Sequence, residues 1–343
     1  WNAAPVIPPP PNTRPTLLTG IGYGRSACLR RMTVLVARHD GGSLGYTTVR
    51  LRPENRDEVL ALIEAVRVFD GVPPLSEYKT MRLEGGLDVR ERVARDAQGA
   101  VVGYGQAAWH RGSGDNTGHW AMEIVMAPEH RNQQATGDLI RSLLHDVARP
   151  ALLWSRSNYV DEAAALLGWA RKRTLLEMRR HLPVPELDTS LSGVRLASFR
   201  MGIDEAAWLE ANNAAFAGHP ENGDMTRLDL EKRMAQSWFD PDGFFLAWDG
   251  EVLVGSCWTK MHEDGSGEIY IISVIPSWEG RGLGRGLVAI GLDHLATVRH
   301  SRKAMLYVEA TNDRALGLYD RLGFERSRTI EAYVPQLGLG VEG

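Results

Sequence analysis

The run Glu268-Ile-Tyr-Ile-Ile-Ser-Val274 is almost continuously apolar, with a carboxylate at its start. After Pro276 comes Glu279-Gly280-Arg281-Gly282-Leu283-Gly284-Arg285, and then Leu287, Ile290, Leu295 and Val298 at helical spacing. Glycines between a buried strand and a helix let the backbone curl and aim successive N–H groups at one point, where the helix dipole adds positive potential. Such a loop can cradle a pyrophosphate. Two other phosphate loops do not fit. No Lys-Ser or Lys-Thr pair follows the glycines, and the loop comes after a hairpin and a third strand rather than after the first strand of a βαβ unit. The plain alternative is a helix that merely starts at a glycine turn. Glu268 suits a proton acceptor, or else an exposed strand-end carboxylate satisfying a turn. Tyr319 lies four residues before Gly323; it is a proton donor or, like most helical aromatics, a core residue.

The elements that must carry these groups can be read on either side. The stretch Gly243–Trp258 reads as two β-type runs around the Asp249-Gly250 turn, a strong hairpin signal. A Gly-rich turn leads into the strand from Glu268, which reads as central. A second buried strand is predicted at Ala304–Val308, then a helix from about Asp313 that ends at Gly323-Phe324.

The first half repeats this grammar. Val93–Asp96 and Ala100–His110 flank a turn with Gly99, a polar loop follows, and His119–Met126 answers the central strand. Pro128 corresponds to Pro276 at an offset of 148, and Leu167-Gly168-Trp169 to Leu322-Gly323-Phe324 at an offset of 155. Between them the pattern predicts a helix over 135–148, a strand over 151–155 and a helix over 161–167. Each half also opens with a strand and an amphipathic helix, around 47–68 and 194–216. The chain therefore reads as two copies of one α+β domain, at 45–182 and 194–336, joined by a Pro/Ser/Gly linker at 183–193 and followed by a tail at 337–343.

Composition agrees. The 343 residues are 43% hydrophobic and 24% charged, enough chain for about two buried cores at roughly 150 residues per domain. A net charge of −4 gives no electrostatic footprint for nucleic acid. The basic cluster Arg171, Lys172, Arg173, Arg179, Arg180 reads as the solvent side of strands. Cys28 and Cys257 match neither a disulfide framework nor a zinc spacing, so a reducing cytoplasm is expected and no metal is implied. No apolar run reaches the 18 or so residues that span a bilayer. Six of the first 15 residues are Pro; residues 1–44 are read as a disordered extension, with Met32 as the expected true start.

Strand, Val-x-Pro, Gly-x-Gly-x-Gly, helix, strand, Asn312 and a helix ending Leu-Gly-Phe resembles the acetyl-CoA-binding core of the GNAT acetyltransferases. A closer resemblance is to the mycothiol synthases, tandem GNAT proteins. It rests on Asn212–Glu221, Trp238–Gly243, Trp258-Thr-Lys260, Gly267–Ile271, Glu279–Arg285 and Leu306–Glu309, and is looser at Asp70–Glu77. The resemblance implies two GNAT-like domains, each a mostly antiparallel central sheet with flanking helices. It implies acetyl transfer from acetyl-CoA to the glucosamine amine of a cysteinyl-glucosaminyl-inositol, a small amino-sugar thiol, by a monomer with no nucleic-acid or membrane partner.

Residue roles follow from the same resemblance. Glu268 is the base and Tyr319 the acid for the departing thiolate. Ile272, Ser273 and Val274 leave the next strand to meet the pantetheine arm, Glu279, Gly280, Arg281, Gly282, Leu283, Gly284 and Arg285 hold the pyrophosphate, and Asn312, Asp313, Arg314, Ala315, Leu316 and Gly317 line the other wall. Glu77, Glu221, Lys260, Glu268 and Tyr307 meet the acceptor. One departure is Glu279, where such loops usually open with Gln or Arg; a carboxylate there must point away from phosphate, with Arg281 or Arg285 supplying charge. In the first half Gln134 and Thr136 replace the critical glycines and are expected to obstruct phosphate, so weak or no catalytic use of that half is expected, with a non-productively held acetyl-CoA as the alternative. The rival readings are a GNAT enzyme for another amine and an acetyl-CoA sensor without turnover.

Overall fold

The computed structural model describes residues 45–83, 88–111, 118–147, 150–219 and 223–336. The extension at 1–44, Glu221 and the tail lie outside them. The first half runs β1 (Thr47–Arg50), α1 (Arg56–Asp70), α2 (Glu77–Thr80), β2 (Val89–Arg95), β3 (Val101–His110), β4 (His119–Met126), α3 (Gln133–His145), β5 (Ala151–Ser155), α4 (Asn158–Leu166) and β6 (Trp169–His181). The second runs β7 (Arg195–Ser198), α5 (Glu205–Ala215), α6 (Arg227–Met234), β8 (Phe244–Asp249), β9 (Val252–Met261), β10 (Gly267–Val274), α7 (Leu283–Thr297), β11 (Lys303–Glu309), α8 (Asp313–Arg321) and β12 (Glu325–Pro335). Apart from the additional short α2 and the extra α6, the order repeats as the sequence pattern predicts. The Asp249-Gly250 hairpin forms, with Gly250 at φ +57°.

The strands form one 12-stranded sheet in the order β1-β2-β3-β4-β5-β12-β6-β11-β10-β9-β8-β7. Its centre shows something periodicity cannot: the halves trade their last strands. β6 ends the first half yet pairs with β11 of the second, and β12 ends the second yet pairs with β5 of the first. The two exchanged strands also pair with each other, antiparallel, from Glu325↔Arg179 to Pro335↔Trp169.

This exchange corrects the reading of the basic cluster. Arg171 and Lys172 are exposed, but β6 lies between two neighbours in mid-sheet, and Arg173, Arg179 and Arg180 are only half-exposed. Arg173 pairs with Glu309, and Arg179 donates to Glu177 at 2.6 Å. They are braces of a central strand rather than a solvated face.

Each half has its own core. In the first, Val59, Leu62 and Val66 of α1 and Leu139, Ile140 and Leu143 of α3 cover the sheet around Val93 and Tyr104. In the second, Leu287, Val288, Leu292 and Leu295 of α7 pack on Val254, Cys257 and Leu306. Truncating one such leucine to Ala costs about 2–5 kcal/mol. Helix α7 sits very close to the sheet because Gly291 allows it: a Cβ there would lie 2.7 Å from the Cys257 Sγ. The opposite face carries Phe199, Trp208, Phe244 and Trp258, stacked or edge-on to one another.

Candidate active site

Strand β10 is built to come apart from its neighbour. Its parallel pairing with β11 covers Gly267↔Ala304 and Glu268↔Met305 and, among the described residues, no further pair. On its other edge it stays paired with β9 as far as Val274↔Gly255, with a bulge at Tyr270. A bulge bends and twists the strand that carries it. The edge of β10 facing β11 is therefore free from Ile269 onward, and Ile272, Ser273 and Val274 lie on it. The Ser273 hydroxyl does not enter that gap, since it is buried against Ser256 at 2.8 Å, and Ser256 accepts from the Trp208 indole at 3.0 Å. What this edge presents is backbone.

The loop beyond β10 ends in an open helix start. Gly280 and Gly282 stand at φ +77° and +83°, a left-handed conformation that disfavours side chains. Gly282 is the N-cap of α7 and supplies no side-chain hydrogen bond to its first amides. Glu279 is turned away and paired with Arg314, while Arg281 lies over the Trp278 ring at 4.7 Å. On the far wall Asn312 caps α8, its Oδ1 accepting from Ala315 N at 3.1 Å, and Asp313 to Gly317 form the first turns. A strand edge, an uncapped helix start and a second helix start suit a long, thin ligand with a central diphosphate.

At the inner end of that gap lies a cluster of polar groups. Glu268 is 5% exposed and accepts or shares a proton with His262 Nε2 at 2.7 Å. Its cross-strand neighbour is Lys260, whose ammonium is buried over the rings of Trp238, at 4.6 Å, and Tyr270, at 5.2 Å. Lys260 pairs with Glu77 from α2 of the other half. Burial raises the Tyr270 hydroxyl, which accepts from Arg233 at 3.0 Å and also faces Glu77. Tyr307 on β11 is pushed up to about 12 by burial, and it donates to Glu177 of the exchanged β6 at 3.4 Å.

Four of the five acceptor residues expected from the sequence, Glu77, Lys260, Glu268 and Tyr307, thus gather around one polar site, and Glu221 is outside the described residues. Tyr319 lies in α8, 5% exposed and packed in the core beside the gap. Burial raises its hydroxyl, so it holds its proton at neutral pH. The same core pushes the Cys257 thiol up to about 12.

Sequence reasoning missed His262, Arg233, Glu177 and Glu123. The last lies on β4, 4% exposed, and accepts from Ser76 N at 2.7 Å and Ser76 Oγ at 2.5 Å. It thereby fixes the cap of α2, immediately before Glu77. Only a carboxylate in an otherwise apolar strand, His119–Met126, hinted at it. Thr136 is wholly buried, and Asn132 caps α3, accepting from Ala135 N at 2.8 Å.

The sequence model of the acetyltransferase (GNAT) family matches residues 207–324, inside the half with the open gap. A mycothiol acetyltransferase of Geodermatophilus obscurus is 42% identical over 296 residues, covering 81% of this chain and 93% of that protein. One of Thermomonospora curvata is 42% identical over 274 residues, with coverage of 78% and 90%. The chain belongs to the mycothiol acetyltransferase family. Solved structures agree on the architecture. A GCN5-related N-acetyltransferase from Sphaerobacter thermophilus superposes with a TM-score of 0.61 at 21% identity, over 87% of this chain and 99% of that one. A tandem GNAT protein from the clavulanic acid biosynthesis pathway gives 0.61 at 14%, over 84% and 98%. This member of the mycothiol acetyltransferase family is an N-acetyltransferase of tandem GNAT build. Among its described residues no helix is long and apolar enough to cross a membrane, and no cluster of three metal-ligating side chains occurs.

Proposed function

We propose that the chain transfers the acetyl group of acetyl-CoA to the glucosamine amine of cysteinyl-glucosaminyl-inositol, giving mycothiol, by direct attack in the second half. The observation that carries the reading is the parting of β10 from β11 immediately after Glu268, which puts a buried carboxylate at the inner end of a backbone-lined gap.

The residues divide the work. The free edge of β10 at Ile272–Val274 pairs with the pantetheine arm and donates to the thioester oxygen, the role of prearranged donors to developing negative charge. Amides of Gly280–Arg285 hold the pyrophosphate at the α7 start. Glu268 takes the proton of the attacking amine, directly or through water. Tyr319, protonated, gives its proton to the departing sulfur. Lys260, Glu77 and Tyr307 offer an ammonium, a carboxylate and a phenol to a polyol amine, and they come from both halves. Glu221 is assigned to the same acceptor from its sequence position.

The test is CoA release on adding the desacetyl precursor, with the product identified by mass as the N-acetylated thiol. Release with unrelated amines at the same efficiency would assign a different acceptor, and tight acetyl-CoA binding without any release would make the protein a sensor.

A further inference from the structure

Glu268 has one neighbour that the reaction above does not use. His262 follows directly after β9, in the turn that leads into β10, and its Nε2 is 2.7 Å from Glu268 Oε2. The turn is held rigidly. His262 N donates to Ser266 O at 2.9 Å, and Gly265 N to His262 O at 3.0 Å. Asp264 accepts from Ser266 N and Oγ, at 3.0 and 2.8 Å. Ser301 Oγ then ties the turn to the β11 side, accepting from Gly267 N at 3.1 Å and donating to Gly265 O at 2.8 Å. A turn held this firmly fixes where the imidazole is rooted, and its Nε2 engages Oε2 of the carboxylate.

The exposures add direction. The Glu268 side chain is 6% exposed and that of His262 is 29%. Around them stand Lys260 on β9, Tyr270 on β10, Tyr307 on β11, Arg179 on β6 and Asp264 in the turn itself. Lys260 is engaged by Glu77 and Arg179 by Glu177, which leaves the imidazole as the hydrogen-bonded partner of Glu268 that also reaches solvent. An imidazole can accept a proton at one ring nitrogen while releasing one from the other.

We propose that His262 positions the Glu268 carboxylate and conducts the acceptor's proton from it to solvent. The inference rests on Glu268 being the base, as proposed above. In the step, the amine nitrogen forms its bond to the acetyl carbon and its proton passes to Glu268. Oε2–H then gives that proton to Nε2 of the Nδ1–H tautomer of His262 as Nδ1 releases its own to water, and exchange of the ring proton through solvent returns the Nδ1–H tautomer before the next turnover.

The experiment compares His262→Ala and His262→Gln with the wild type, in acetyl-CoA and desacetyl precursor. For His262→Ala, kcat is expected to fall on the order of 10- to 100-fold, below the range for losing a base itself, with KM for acetyl-CoA unchanged. Added imidazole should restore part of that loss in His262→Ala and none in the His262→Ala, Glu268→Gln double variant. His262→Gln, which keeps an N–H donor but conducts no proton, should fall between. Wild-type turnover in His262→Ala would overturn the proposal, as would a loss that imidazole leaves untouched while the melting temperature drops. A substrate-free reading separates this from the choice of acceptor. The ring ¹⁵N resonances of His262 should shift on Glu268→Gln even if the wild type turns out to prefer another amine, and unshifted resonances would overturn the contact.

Discussion

The two halves share an order of elements and differ at three places around the central strand. In the first half the central strand β4 stays zipped to β5 through four pairs, Trp120↔Ala151 to Glu123↔Trp154, and meets β3 without a bulge. In the second, pairing stops after two and a bulge bends β10 away. The helix after the central strand is capped by the Asn132 side chain in one half and left open by Gly282 in the other. Finally, each central strand carries a buried carboxylate, but Glu123 accepts from Ser76 whereas Glu268 is hydrogen-bonded to the His262 imidazole. The two halves also meet directly, where Glu77 of the first pairs with Lys260 of the second.

The largest effect expected from this contrast separates the two carboxylates. Glu268→Gln should lower kcat by about 10²–10⁴, the usual worth of a general base, while Glu123→Gln leaves kcat close to wild type; steady-state rates measure both, and equal losses would erase the distinction. The helix starts come next. An alanine at the left-handed Gly282 costs roughly 1–2 kcal/mol and places a methyl among the phosphate amides, so KM for acetyl-CoA should rise about tenfold or more. Asn132→Ala should instead remove about 1 kcal/mol of stability with KM unchanged, as thermal melts and initial rates would reveal.

Smaller still is the bracing effect. Glu77→Gln and Glu123→Gln should each raise KM for the acceptor by several-fold up to about tenfold, about 1.4 kcal/mol, and leave that for acetyl-CoA alone. A shift in both constants would point to a collapsed interface instead. The mildest prediction is acid sensitivity. Burial and the nearby Arg173 push His219 down to about 4. Its folded value lies below its unfolded one, so the stability it contributes is present above about pH 6.5 and is lost as pH falls from there towards 4. The melting temperature should decline across that window, and less so in His219→Asn.

Much of the fold was legible because it is local. Alternating and continuous apolar runs marked β8, β9 and β10, the Asp249-Gly250 pair marked their hairpin, and repetition of the pattern doubled every clue. Gly280 and Gly282 were legible for the same reason, since a positive φ leaves its mark on residue type at a single position. Strand neighbours were not, because nothing in the periodicity of β6 says that its partner is β11 rather than β5. With that pairing went Glu177, which reaches Tyr307 only across the exchange. His262 and Glu123 were hidden differently: each touches a residue whose importance had to be known first.

The traded strands also set a timetable. β5 waits for β12, which is joined to it at Glu331↔Ser155 and is synthesised only after nearly all of the second half. At ~5–20 residues per second the first half is made on the order of ten seconds or more before its edge is covered. Through that interval the nascent chain offers an unpaired strand edge, the feature most prone to recruit a stray partner. A messenger cut short before β12 would yield a protein with its catalytic groups encoded and its sheet unfinished, open to receiving the final strand of another copy.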